Sequence, residues 1–187
     1  PALRGGWLHF TIESDQPRIV LLNARGHGMA YVNGEPRAGD VYRYGYVKTP
    51  VLLNPGTNAF FLASGRGQMG VQLLPAPSTA LLNVGDPTLP DLRIGEPVDT
   101  WGAVVVMNAS TEWARDLVLT AQGAGRTTRT PVPPIPPLGV RKVGFRIQGP
   151  APRQEGPLGI ELLLSPARHR RQPLDQGRVE LRVRRPD

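Results

Sequence analysis

Tyr42, Tyr44 and Tyr46 recur at every second position of the run from Val41 to Val47, the one place where the sequence offers a row of side chains suited to a ligand. In a regular strand, residues two apart share a face at about 7 Å, so the three rings would line one side and Arg43 would project from the other. Exposed, such a row could stack on sugar rings or bases, with the phenol hydroxyls as polar handles. Buried, it is a core face. Aromatic residues on strands most often serve packing, so burial is expected, with Tyr44→Ala costing about 3 to 5 kcal/mol through the cavity left behind. The same three tyrosines are the candidate binding residues if the row faces solvent.

Other residues able to do chemistry do not assemble into a recognisable constellation. Ser64 in Ala63-Ser64-Gly65 lacks the preceding glycine of a nucleophile elbow. His9, His27 and His169 lie far apart, without metal-ligand spacing, and only His27, between Gly26 and Gly28, sits in a loop-like setting permissive of function. Glu13 with Asp15, Glu35 with Asp40, and Glu112 with Asp116 fall near turns, where carboxylates serve local hydrogen bonding. Gly65, Gly67 and Gly70 fit G-x-G-x-x-G, but no helix follows to supply the amide cradle and dipole for a phosphate. Asn108-Ala109-Ser110 matches the glycosylation triplet, which matters only in a secreted chain. No catalytic residue, metal site or cofactor is expected.

The elements needed to position these residues are strands. The chain has 22 Gly and 21 Pro, which interrupt every stretch long enough for a helix. Strand-like runs are Trp7 to Ile12, Ile19 to Ala24, Ala30 to Val32, Val41 to Val47, Val51 to Asn54, Ala59 to Ala63 and Val71 to Leu74. In the first, Trp7, His9 and Thr11 share one face and Leu8, Phe10 and Ile12 the other. Asn33-Gly34 marks a type I′ hairpin, since both central residues must take positive φ. Trp101 to Asn108, Leu117 to Ala121, Val140 to Ile147, Ile160 to Leu164 and Val179 to Val183 follow, the third and last alternating apolar with polar. Pro131 to Pro137 reads as an extended connection into the Val140 strand, rather than as a polyproline ligand. The fold expected is all-β, with two tandem antiparallel β-sandwich modules over residues 1–77 and 78–187; the Gly85 to Pro90 stretch is an alternative boundary.

Composition narrows the partners. The formal charge of +7 arises from 22 Lys plus Arg against 15 Asp plus Glu, yet the arginines scatter from Arg4 to Arg185. The densest group, Arg168, His169, Arg170 and Arg171, with Arg178, Arg182, Arg184 and Arg185 behind it, reads as a solvated basic patch. A nucleic-acid partner is not expected. With 0 Cys there is no disulfide framework, and no apolar run approaches the roughly 20 residues of a membrane helix. A chain beginning at Pro1 rather than Met is expected to be processed or part of a longer protein.

Two resemblances add to this reading. Tyr31-Val32-Asn33-Gly34-Glu35, Gly39-Asp40-Val41-Tyr42 and Pro50 to Asn58 resemble the galactose-binding-like jelly roll over about residues 5 to 75. Asp91 to Ile94, Val104 to Ser110 and Ala114 to Leu119 resemble fibronectin-like and cell-adhesion-related (CARDB-like) sandwiches of bacterial extracellular proteins, with Ser110 where glycine is commoner. Such a pair often precedes a catalytic domain in bacterial α/β-hydrolases of the esterase and oligopeptidase type. The resemblance therefore implies a non-catalytic accessory region of a secreted or cell-envelope protein, partnered by an intramolecular hydrolase domain or by a polysaccharide as a carbohydrate-binding module.

Overall fold

The computed structural model describes residues 5–40, 42, 44–64, 68–168 and 172–185. Arg4, Val41, Arg43, Gly65 to Gly67 and His169 to Arg171 lie outside the described residues, and with them part of the G-x-G-x-x-G match and of the basic cluster. The chain is all-β, in sheets whose pairings are antiparallel but for one, and divides into two compact units, Pro1–Pro77 and Ser78–Asp187.

The first unit is a sandwich of a four-stranded and a three-stranded sheet. Its strands are β1 (Gly6–Ser14), β2 (Arg18–Arg25), β3 (His27–Val32), β4 (Glu35–Arg37), β5 (Lys48–Leu53), β6 (Gly56–Ser64) and β7 (Gly70–Pro75). One sheet has the order β1-β6-β3-β4 and the other β5-β2-β7. Alternation builds the core: Leu8, Phe10 and Ile12 of β1, Ala30 and Val32 of β3, and Phe60 and Leu62 of β6 meet Val20 and Leu22 of β2, Val51 and Leu53 of β5, and Val71 and Leu73 of β7. Phe10 and Phe60, directly opposite in register, stack at 4.8 Å. Asn33 and Gly34 take φ of 52° and 82°, forming the turn between β3 and β4 that Asn-Gly predicts.

The second unit pairs a three-stranded with a five-stranded sheet. It comprises β8 (Ala80–Thr88), β9 (Asp91–Arg93), β10 (Val98–Asn108), β11 (Leu117–Gly123), β12 (Arg126–Val132), β13 (Val140–Gly149), β14 (Gly156–Pro166) and β15 (Asp175–Arg184). The orders are β13-β10-β8 and β12-β11-β14-β15-β9, with β9 parallel to β15 and every other pairing antiparallel. Val143, Phe145 and Ile147 of β13 and Val104 and Val106 of β10 face Leu119 of β11, Ile160, Leu162 and Leu164 of β14, and Val179, Leu181 and Val183 of β15.

Three sequence expectations change on contact with the structure. Tyr42 and Tyr44 to Val47 are not in a strand; they form turns and irregular backbone between β4 and β5. The Gly85 to Pro90 stretch is not a linker, because β8 runs through Gly85, Asp86 and Pro87 to Thr88. β8 is an edge strand, where a proline removes no needed ladder donor. The proline-rich run begins inside β12, which takes in Pro131 and Val132, and only from Pro133 on is it the expected connection to β13, where it is packed: Ile135 is buried and bridged to Ala114, and the Gly139 amide donates to the Pro136 carbonyl.

Candidate ligand-binding surfaces

The tyrosines face solvent, at 77% exposure for Tyr42, 68% for Tyr44 and 45% for Tyr46. Their expected burial is therefore wrong, and the cause is Asp40. Its carboxylate is buried and its Oδ2 accepts from the backbone amides of Gly26, at 3.2 Å, and Gly45, at 2.9 Å. Gly45, whose amide is held in this way, takes a positive φ of 72°, which breaks the pleat between Tyr44 and Tyr46. Tyr44 and Tyr46 end with ring centroids 5.3 Å apart, tilted by 30°.

His27 braces the same loop from beneath. It is buried at the start of β3; its carbonyl accepts from the Asp40 amide at 3.0 Å, and its Nδ1 has no hydrogen-bond partner among the described residues. Burial pushes the imidazole pKa below its ordinary value, outweighing the hydrogen bond to Ala38 and the charge of Asp40, which both act upward. A neutral buried histidine beside a loop anchor is a structural device.

A second aromatic group lies on the outer face of β1-β6-β3, where sequence reasoning placed no site. Cross-strand register sets His9 opposite Phe61 and Phe61 opposite Tyr31, one row across three strands. The next row is Trp7, Ala63 and Met29. The small side chain of Ala63 leaves room for Trp7 to lean over and meet Tyr31, centroid to centroid 5.9 Å, while His9 stacks on Phe61 at 4.4 Å. Trp7, Tyr31, Phe61 and Gly34 line a shallow open shelf. Trp7 is 54% and Phe61 39% exposed. The alternation along β1 was legible in the sequence, but the shelf needs residues from three strands brought together by register.

Other polar groups singled out by the sequence are architectural. Asn108 is fully buried, and its Nδ2 donates to the carbonyls of Glu112 (2.7 Å), Ile135 (3.1 Å) and Pro136 (2.9 Å), while its Oδ1 accepts from Ser110 at 2.7 Å. The glycosylation match is thus a buried clamp, and no glycan can reach its amide. Asn58 does the same for the first unit, donating to the carbonyls of Asn54 and Gly56 and accepting from Asn33. Carboxylates meet much of the basic charge: Arg178 pairs with Glu161, Arg184 with Asp91 and Arg185 with Glu155. Arg146 grips Asp99 with two hydrogen bonds, which holds that carboxyl below its usual range. Among the described residues no group of three His, Asp or Glu side chains is placed to hold a metal, and no helix is long and apolar enough to cross a membrane.

Comparison with solved structures finds the fold in larger proteins. A calcium-binding mutant of Bacteroides uniformis beta-glucuronidase 2 is 16% identical with a TM-score of 0.53, over 95% of this chain and 26% of that one. A GH2 beta-galacturonidase from Eisenbergiella tayi is 14% identical at a TM-score of 0.47, over 96% and 35%. A red sea bream transglutaminase is 13% identical at 0.42, over 98% and 30%. This chain thus spans about a quarter of the first of these structures and about a third of the second. No family model matches the chain, and no curated protein matches it in sequence.

Proposed function

We propose that the chain is a non-catalytic accessory β-sandwich region that positions or targets a partner hydrolase domain of a larger protein, in a secreted or cell-envelope setting. The observation that carries this reading is the extent of the fold likeness: nearly the whole chain aligns with about a quarter of a beta-glucuronidase. The strand orders support a jelly-roll-like first module and an Ig- or fibronectin-like second one, the latter through its three-plus-five arrangement with a parallel edge strand. The use of Asn58, Asn108 and Asp40 as backbone clamps agrees with a scaffold. The test is a panel of chromogenic esterase, peptidase and glycosidase substrates offered to the purified chain. No turnover above a heat-treated control is expected; turnover abolished by a single substitution overturns the proposal.

A second reading, a carbohydrate-binding module acting on a polysaccharide, is favoured by the exposure of Tyr42, Tyr44 and Tyr46. The two readings are compatible, since polysaccharide recognition is one way to target a hydrolase. Each stacked ring contributes roughly 1 kcal/mol, so three tyrosines support binding in about the millimolar-to-micromolar range once hydrogen bonds are added. Affinity electrophoresis through gels containing soluble polysaccharide checks it: Tyr44→Ala is expected to lose retardation. Equal retardation of wild type and variant removes the tyrosine loop as the site.

A further inference from the structure

We infer that the outer face of β1-β6-β3 is a platform for a neutral polysaccharide, with Trp7, Tyr31 and Phe61 stacking against the apolar faces of successive sugar rings. The inference rests on the carbohydrate reading and adds to the tyrosine loop a second surface, on the sheet. Three features fit this ligand. The shelf is lined by Trp7, Tyr31, Phe61 and Gly34, with no charged side chain among them, so an ionic ligand finds no counter-charge and a neutral one sheds no strong hydration. Along the same face the rows then turn polar: beyond Trp7–Ala63 and His9–Phe61 come Thr11–Ala59 and Glu13–Thr57, the last joined by a 2.6 Å hydrogen bond. Aromatic surface passing into hydroxyl and carboxylate groups matches a sugar chain, which presents flat C–H faces edged by hydroxyls. Finally, the rings stand on hydrogen-bonded strands held by a core, so little ordering is needed on binding, whereas Tyr42, Tyr44 and Tyr46 stand on a loop.

The experiment measures depletion of the chain from solution by microcrystalline cellulose and by chitin, at several protein concentrations. Trp7→Ala and Phe61→Ala are expected to weaken retention roughly tenfold each, about what losing one well-stacked ring removes. Trp7→Tyr is expected to restore much of it. Trp101→Ala, removing an equally exposed indole from the second unit, is expected to change nothing. Melting curves of the Trp7 and Trp101 variants should stay close to that of the wild type, since those rings are more than half exposed, and Phe61→Ala, whose ring is 39% exposed and stacked on His9, is assayed below its own transition. If the wild type is retained while Trp7→Ala and Phe61→Ala are retained equally, this inference fails and the carbohydrate reading stands. If neither polysaccharide retains the wild type, both fail. A concentration-dependent dimer in sedimentation, lost in Trp7→Ala and unaccompanied by polysaccharide retention, assigns the face to a second copy and overturns the inference.

Discussion

At the scale of single residues, buried polar side chains carry more of the stability than exposed rings do. Asn108→Ala removes one donor from each of the carbonyls of Glu112, Ile135 and Pro136, which keep a second donor in Ser110, Ala114 and Gly139, and empties a fully buried polar position, a loss of about 1 to 3 kcal/mol. A lowered urea midpoint for the second unit checks it, and an unchanged midpoint contradicts the clamp. Tyr44→Ala should behave oppositely, within about 0.5 kcal/mol of wild type, because its ring has solvent on most sides. His27 adds a pH dependence. Its folded-state pKa lies below the unfolded value of about 6.5, so the unfolded chain binds the proton more readily. The stability held by neutral His27 is complete above that value and drains away as pH falls through it toward the lowered folded value. Urea midpoints of the first unit should therefore drop between neutral pH and pH 5, and more steeply than in His27→Gln.

At the scale of elements, hydrophobic alternation was the legible signal, and it succeeded where a strand had one wet face. Val143, Phe145 and Ile147, and Val179, Leu181 and Val183, became core rows of β13 and β15 as their spacing indicates. β4, β8 and β12 were not legible because proline and glycine punctuate them; all three are edge strands, where Pro36, Pro87 and Pro131 are tolerated. The tyrosine segment misled for the converse reason: its alternation mimics a strand, while the carboxylate that turns it into a loop bonds backbone amides no pattern reveals. The shelf was half legible, since β1 declared its outward face but the register joining Trp7, Tyr31 and Phe61 is a tertiary fact. Close backbone approach makes the loop's docking testable. A Cβ at Gly39 would fall 2.0 Å from the Gly28 carbonyl oxygen, so Gly39→Ala must push the 38–46 segment off β3. Faster proteolysis within that segment, with the second unit's transition unchanged, is the expected result.

At the scale of the whole molecule, the basic balance and the paired arginines bear on partners. Arg178, Arg184 and Arg185 pair with Glu161, Asp91 and Glu155, so among the described residues these arginines are interleaved with carboxylates. The sandwich surfaces are then free to serve a partner domain, and targeting is what they should supply. The most direct measurement fuses the chain to a glycosidase catalytic domain that lacks any binding module, and compares rates on insoluble and soluble forms of one polysaccharide. The predicted result is a several-fold rise in the insoluble-to-soluble ratio, reversed by Trp7→Ala, with the soluble rate unchanged. A ratio equal to that of the unfused domain, or turnover by the chain alone, would contradict it.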